Sequence, residues 1–312
     1  MLTRDGKAEL QFRIPKTMQF MAKLKHNRSS DSELEGYCMN RIVGNTAYFN
    51  ITAPGRGEYG LEIYANDPST EGSTLFHVAQ YMIECNEDVK AVPLPKLPGG
   101  YLGAQPKFSE FGLNTLSHHD PIIHLEKNQV EIQFSTAQEM RVTANLIDAE
   151  NDKEYPDYVF TQTQGSVVGF VVILPCTGFY KLQLYSIPAA DPSQQLPGVY
   201  NYLINCKKMT QQVHPFPKQY AQWKEGCCME APLSLHKGCG DEVIFRVSVP
   251  KAAAVAVVAG DEWTHLQSPP NTGMWEGRVA LGSLYGRGAK VTLNANYGGD
   301  PTSYATLLEY TI

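Results

Sequence analysis

Four residues in the last third of the chain have side chains of the types that bind zinc. They lie within thirteen positions of one another: Cys227, Cys228, His236 and Cys239. Thiolate and imidazole are the usual ligands of structural zinc. The spacing matches no standard zinc motif, however, and Gly238 and Gly240 already indicate a turn at this point. We therefore predict a turn here and assign no metal ligands.

A second cluster combines imidazole with carboxylate. It consists of His118, His119, Asp120 and His124. Both groups bind zinc and other transition metals, but no second cluster at the spacing of a zinc site accompanies these residues in the sequence. We interpret His118 and His119 as residues of a connecting segment that contacts its neighbours. The sequence predicts no metal and no cofactor.

A catalytic nucleophile needs a base within reach and a third group that orients the base. Cys176 has neither at a recognisable spacing, and it aligns with Arg56 in the repeat described below, which indicates a loop position. The glycine pair Gly99-Gly100 precedes no helical pattern, so it does not predict a phosphate-binding loop. We assign no catalytic residue and predict that the chain is not an enzyme.

Composition narrows the class of protein. The 312 residues are 43% hydrophobic and 19% charged, with a formal net charge of −6. This balance argues against disorder and gives no basic surface for nucleic acid. The longest apolar runs, residues 167–174 and 252–259, are far shorter than the roughly 18 residues of a membrane span. A soluble protein is expected, with protein partners rather than nucleic acid or membrane.

Cysteine usage and the N-terminal residues predict the compartment. The chain has seven cysteines at irregular spacing, whereas a secreted disulfide framework usually has an even and regular set. Residues 1–7 are polar and lack the apolar core of a signal peptide. We therefore expect free thiols in a reducing cytoplasm. A chain that enters its first strand by Leu10 can also be part of a longer protein.

An internal repeat organises the chain. The segment at residues 54–64 has proline, glycine and two tyrosines in the same places as residues 175–185, which lie 121 positions later. Residues 81–85 match residues 202–206 at the same offset. A looser third copy lies in residues 286–310. These copies predict three modules, which we place at residues 1–92, 93–210 and 211–312, the second and third each beginning with a connector.

The local pattern within each copy predicts β-structure. Short segments such as residues 130–134 alternate apolar and polar side chains, turn residues follow every eight to twelve positions, and long helical patterns are missing. This is typical of an all-β sandwich. We predict three tandem immunoglobulin-like β-sandwich modules.

The repeated tyrosines have a structural role in this interpretation. Tyr59 and Tyr180 occupy the place of the corner tyrosine of immunoglobulin-like domains, whose hydroxyl bonds back to the nearby backbone. Leu61 and Leu182 stand two positions later, where such domains often carry a disulfide cysteine. We expect both leucines to be buried and the sheets to be held together by packing alone.

The two connectors are too aromatic to be flexible linkers. The first, from residue 93 to about 124, contains Tyr101, Phe108 and Phe111, and the second contains Trp223. Large aromatic side chains are stabilised by leaving water. We therefore predict that the connectors pack across the module junctions, with Trp223 buried between the second and third modules near residues 233–235.

Several segments match a known family. They are Gly112-Leu113, Leu116-Ser117-His118, Phe216-Pro217-Lys218, Trp223, Gly226-Cys227 and Pro232-Leu233. With these segments and the repeated tyrosine strand, almost the whole chain resembles the C-terminal, immunoglobulin-like half of the kyphoscoliosis peptidase (KY) and hillarin family. Members of that family are intracellular and cytoskeleton-associated, in muscle in vertebrates.

The resemblance also bears on catalysis. Family members carry a transglutaminase-like domain with a Cys-His-Asp triad upstream of such modules. No segment of this chain resembles that domain, so no catalytic residue is carried over. The resemblance implies an accessory or scaffolding region.

The sequence leaves three functions as alternatives. We favour a non-enzymatic protein-binding array associated with the cytoskeleton. The alternative is an accessory region of a transglutaminase-like peptidase that positions protein substrates. A secreted or adhesive protein is the third, and it would require oxidised cysteines.

Overall fold

The fold consists almost entirely of β-strands joined by short turns. In the computed structural model of this chain, the described residues are 6–15, 18–26, 34–67, 72, 74–95, 101–269 and 273–312. Gly99 and Gly100 lie outside them. The described part forms antiparallel sheets that pair into tandem immunoglobulin-like β-sandwiches, which confirms the predicted fold class. The helices in the described ranges are all too short to cross a membrane.

Six strands of the first sandwich lie in the described residues. They are β1 (Lys7–Arg13), β2 (Gln19–His26), β3 (Cys38–Val43), β4 (Thr46–Thr52), β5 (Gly57–Asn66) and β6 (Phe76–Cys85). One sheet has the order β1-β4-β3 and the other has the order β2-β5-β6. Their facing side chains, among them Phe49 and Leu61, form one hydrophobic cluster.

The second sandwich begins within the predicted first connector. Its strands are β7 (Gly103–Ala104), β8 (Asn114–Thr115), β9 (Ile122–Leu125), β10 (Gln129–Ser135), β11 (Met140–Asp148), β12 (Val159–Gln164), β13 (Val167–Ile173), β14 (Gly178–Pro188) and β15 (Gly198–Cys206). One sheet has the order β12-β13-β10-β8, and the other has the order β11-β14-β15-β7, with β9 also paired to β15. Helix α1 (Pro106–Glu110) and a 3₁₀ turn (Pro156–Tyr158) complete it.

The third sandwich takes two strands from the second connector. Its strands are β16 (Lys218–Gln219), β17 (Cys228–Ala231), β18 (Glu242–Ser248), β19 (Ala254–Ala259), β20 (Glu262–His265), β21 (Met274–Ala280), β22 (Lys290–Asn296) and β23 (Ala305–Thr311). The sheets have the orders β16-β23-β22-β19-β20 and β17-β18-β21. Two 3₁₀ turns, Ala221–Lys224 and Lys237–Cys239, lie between the early strands.

The sequence repeat has a counterpart in strand register. β5 pairs with β6 and β14 pairs with β15, and both ladders contain a bulge. The register shifts between Ile63 and Tyr64 in the first sandwich and between Leu184 and Tyr185 in the second. These positions are 121 residues apart, so the two copies match in backbone geometry as well as in residue type.

The connectors differ from the sequence-based expectation in one respect. Phe108 does not pack between sandwiches, because its ring lies 5.2 Å from Phe134 and 5.1 Å from Tyr200, both in the core of the second sandwich. Phe111 packs against that same core. The reason is topological: the first connector supplies β7, β8 and β9, so much of it belongs to the sandwich that follows.

Candidate functional site

The junction between the second and third sandwiches is built around Trp223. This residue lies in the 3₁₀ turn Ala221–Lys224 and is buried. Its ring centroid is 5.4 Å from that of Phe160, and its Nε1–H donates a 2.8 Å hydrogen bond to the carbonyl oxygen of Thr161. Phe160 and Thr161 belong to β12 of the second sandwich, so the indole joins the two units.

Further hydrogen bonds connect β12 to the third sandwich. The amide Nε2 of Gln219 donates to the Thr161 carbonyl at 2.6 Å, and the backbone N–H of Met229 donates to the side-chain oxygen of Gln162 at 3.0 Å. Since β12 is an edge strand of its sheet, these bonds cover an edge that would otherwise face water. The sequence predicted that Trp223 would be buried near residues 233–235. Leu233 of that segment packs against the hydrophobic cluster that contains Trp223.

The junction between the first and second sandwiches combines ionic and apolar contacts. Nε of Arg41 lies 3.3 Å from a carboxylate oxygen of Asp120 and forms an ion pair with it, without the geometry of a hydrogen bond. The guanidinium also lies 4.6 Å from the ring centroid of Tyr48. Beside it, Met39 and Leu203 from the two sandwiches bury Leu102 of the connector between them.

Tyr101 fixes the connector to the first sandwich. Its ring is buried in the core of that sandwich, and its carbonyl oxygen lies 3.5 Å from the donating Nδ2 of Asn201 in the second. Burial raises the pKa of the Tyr101 phenol. Leu102 continues the contact, because its backbone N–H donates to Asn40 and its carbonyl accepts from Ile42, each at 2.9 Å.

His118 and His119 contribute backbone carbonyls to hydrogen bonds within the second sandwich. The carbonyl of His118 accepts from the hydroxyl of Tyr202 at 3.2 Å, and that of His119 accepts from Tyr200 at 3.3 Å. The imidazole of His119 bonds to Thr115 Oγ1 at 2.7 Å. Burial lowers the pKa of His118, with smaller effects from nearby positive charges. The two histidines thus satisfy buried tyrosines of the second sandwich.

The cysteine cluster does not converge on one point. The thiol of Cys227 faces the carbonyl of Gln222, and that of Cys239 faces the carbonyl of Ser234. Nδ1 of His236 accepts from the backbone of Gly238 at 3.1 Å. Among the residues that the structure describes, no three His, Cys, Asp or Glu side chains are grouped as ligands.

The corner tyrosines are buried at equivalent places. The hydroxyl of Tyr59 donates to the carbonyl of Gly55 at 2.8 Å. The hydroxyl of Tyr180 donates to the carbonyl of Cys176 at 3.1 Å and lies 2.9 Å from the Cys176 sulfur. Leu61 and Leu182 are fully buried between the sheets. In both copies the tyrosine hydroxyl is hydrogen-bonded to the turn four residues before it.

Sequence reasoning missed two elements of these surfaces. Arg41 was not singled out, because nothing in its own strand indicates that Asp120 lies opposite. The exposed side chains of β6 were missed too. Val78 and Met82 alternate with the inward Ala79, Tyr81 and Ile83, and the apolar residues at outward positions of this alternating strand were the available signal.

The comparisons with known proteins agree with this architecture. The family model of the KY-like, immunoglobulin-like domain matches residues 1–96 and 98–217, more than half of the chain. The chain is 24% identical to kyphoscoliosis peptidase of Mus musculus over 99% of this chain and 45% of that protein. It is 27% identical to hillarin of Drosophila melanogaster over 60% of this chain and 25% of hillarin. The chain spans less than half the length of these curated relatives.

A solved structure of three immunoglobulin domains from a titin variant aligns with 97% of this chain and 91% of its own length. The identity is 11% and the TM-score is 0.19, so nothing further follows from that alignment. The family match covers both the first and the second sandwich. The chain therefore belongs to the KY-like immunoglobulin-like domain family.

Proposed function

We propose that the chain is a non-enzymatic scaffold that holds three immunoglobulin-like modules in fixed relative positions and binds protein partners at the cytoskeleton. The modules correspond to residues 1–92, 93–210 and 211–312. The chain is an immunoglobulin-like region and not itself a catalytic domain. Arrays of this kind present strand edges and end loops to partners.

One observation supports the scaffold most directly, namely the buried indole of Trp223 bonded to Thr161 across a junction. A buried tryptophan loses a large apolar contact and a hydrogen bond if the two sandwiches separate. The equivalent contacts at the other junction are the Arg41–Asp120 ion pair and the buried Leu102. Both junctions therefore favour one arrangement over free tumbling.

Small-angle scattering on the purified chain tests the fixed arrangement. We expect one narrow distribution of interatomic distances that does not change with protein concentration. A broad distribution, requiring many module arrangements to fit, would contradict the scaffold.

Cosedimentation with purified actin filaments and with microtubules tests the cytoskeletal part. The proposal expects saturable recovery of the chain with at least one filament type at moderate salt. The matched control is the same chain after heat unfolding and clarification. Recovery that is absent with both filaments would remove the cytoskeletal assignment and leave the scaffold to be judged by scattering.

A second candidate is an accessory region that positions protein substrates for a transglutaminase-like peptidase. The match to kyphoscoliosis peptidase over only 45% of that protein favours it, because the relative has room for a further region. The purified chain is then expected to show neither peptidase nor transglutaminase activity on casein. Removing this region from a full-length parent should raise KM for a protein substrate and leave kcat unchanged.

A further inference from the structure

The last strand of the first sandwich carries three exposed apolar side chains. Phe76, Val78 and Met82 on β6 are 50%, 56% and 75% exposed. β6 is also the end strand of its sheet, and within the described residues no strand pairs with its outer edge. An exposed apolar edge of this kind is a template for strand pairing.

The equivalent strand of the second sandwich is paired on this side over most of its length. β15 pairs with β7 in antiparallel and with β9 in parallel orientation on the side away from β14. The backbone N–H of Gln105 donates to the carbonyl of Val199 at 2.8 Å, and that of Leu203 donates to Pro121 at 2.9 Å. The connector therefore follows β15 along most of its length.

The 121-residue repeat allows β6 and β15 to be compared residue by residue. Val199 and Leu203 follow Val78 and Met82 by 121 positions, and both are only 1% exposed. Val78 and Val199 are the extra residues of matching bulges. In the third sandwich, β16 pairs with two residues of the corresponding strand β23, Leu308 and Glu309. The same edge is thus paired over much of β15 and part of β23, whereas no strand of the described residues pairs with it in β6.

We propose that the outer edge and face of β6 bind an extended segment of a protein partner as an added strand. The segment has an aliphatic residue opposite Met82 and a basic residue opposite Glu84. This inference rests on the proposed protein-binding function and names the surface that performs it. Strand addition supplies main-chain hydrogen bonds, and the alternate side chains supply specificity.

The sequence preferred in the partner segment follows from the equivalent edge of β15, which β9 occupies. In the parallel pairing of β9 with β15, Ile122 lies opposite Leu203 and His124 lies opposite Asn205. The corresponding residues of β6 are Met82 and Glu84, so an aliphatic side chain suits the first position. Glu84 is exposed, and a carboxylate favours a cation at the position directly opposite in a ladder.

Charge favours such a partner over a second copy of the chain. Two β6 strands aligned in the same parallel register would bring their Glu84 carboxylates together. Like charges directly opposite in a ladder are destabilising. A partner segment with lysine or arginine at that position avoids the repulsion and adds an attraction.

A labelled peptide tests the proposal on the full chain. The probe has the sequence of residues 120–127 with His124→Arg, and its fluorescence anisotropy is followed as the chain is added. We expect saturable binding that Met82→Glu weakens at least tenfold. A second peptide with His124→Glu should bind at least tenfold more weakly than the first. The matched control is Met209→Glu, which places the same change at another exposed methionine and should leave binding intact.

The possible results distinguish failure of the β6 site from failure of the scaffold proposal. Absent binding, or equal weakening by Met82→Glu and Met209→Glu with unchanged melting temperatures, would overturn the β6 site. Self-association that Met82→Glu abolishes, without peptide binding, would overturn it in favour of a second copy. If filaments still recover the chain while the peptide does not bind, the β6 site fails and the scaffold proposal stands.

Discussion

The indole Nε1–H of Trp223 donates a 2.8 Å hydrogen bond to the carbonyl oxygen of Thr161, and the two residues belong to different sandwiches. The same carbonyl also accepts from Gln219 at 2.6 Å. One backbone oxygen of the end strand β12 is therefore bonded twice by the segment that begins the third sandwich. This carbonyl therefore links the two units directly.

Two substitutions at Trp223 should separate packing from hydrogen bonding. Trp223→Ala removes a buried aromatic side chain, so it should destabilise the third sandwich by about 3–5 kcal/mol and loosen the junction. Trp223→Phe keeps much of the contact and should cost only about 1 kcal/mol, because Gln219 still satisfies the carbonyl. Calorimetry would resolve the transitions. Trp263→Ala is the control, since Trp263 is half-exposed, and an equal loss there would argue against a special role for Trp223.

Removing either corner hydroxyl should cost a small and similar amount. Tyr59→Phe leaves the Gly55 carbonyl without this donor, and Tyr180→Phe does the same for Cys176. We expect each change to lower the free energy of unfolding by about 1 kcal/mol, as for a lost hydrogen bond. Denaturant unfolding measures it, with Tyr297→Phe at an exposed tyrosine as the control. No loss at either corner would show that water replaces the bond.

A stacked histidine pair should make the start of the third sandwich sensitive to acid. The rings of His214 and His236 are parallel within 5°, with centroids 3.7 Å apart. Burial first, and then the charge of His236, lower the pKa of His214. The unfolded chain therefore binds this proton more readily. The associated stability is complete above about pH 6.5 and is lost as the pH falls below it.

The measurement is the melting temperature at pH 7.5 and pH 5.5. The wild-type chain should lose more on acidification than His214→Phe, which keeps a flat ring over His236 and removes one titrating group. Carboxylates that titrate in the same range act on both proteins, so only the difference between them is informative. Equal losses would mean that the histidine pair does not carry the acid sensitivity.

The cysteines should react in an order set by burial. The structure describes all seven, and each is a free thiol. Cys176 is exposed, whereas burial raises the pKa of Cys227 to about 12. Because the thiolate is the reactive form, alkylation of the native chain at pH 8 should label Cys176 first and Cys227 last.

Mass spectrometry of proteolytic fragments gives that order. The denatured, unreduced chain is the reference and should show seven reactive thiols. Recovery of only one thiol would contradict a reducing compartment and favour the secreted alternative. Rapid native labelling of Cys227 would mean that the junction around Trp223 opens readily.

The local patterns of the chain were enough to predict its strands and its class of fold. Alternation in residues 130–134 predicts a strand with one buried face, and β10 has that face. The tyrosine at a fixed distance after proline and glycine predicts a corner, because the hydroxyl reaches only a few residues back along the chain. Trp223 was predicted to be buried for a similar reason, since a large apolar ring rarely stays in water.

The partners of these side chains depended on contacts between distant segments. Nothing near Arg41 in the sequence indicates Asp120, and nothing near Trp223 indicates Thr161. Phe108 was assigned to a junction, although the chain turns it into the second core by adding β7 and β9 to the sheet. The sequence pattern determined which residues are buried, because burial depends on side-chain chemistry and on the two-residue alternation of a β-strand. Tertiary structure decided what each residue contacts, and which strand edge has no paired strand among the described residues, because these follow from how separate sheets pack.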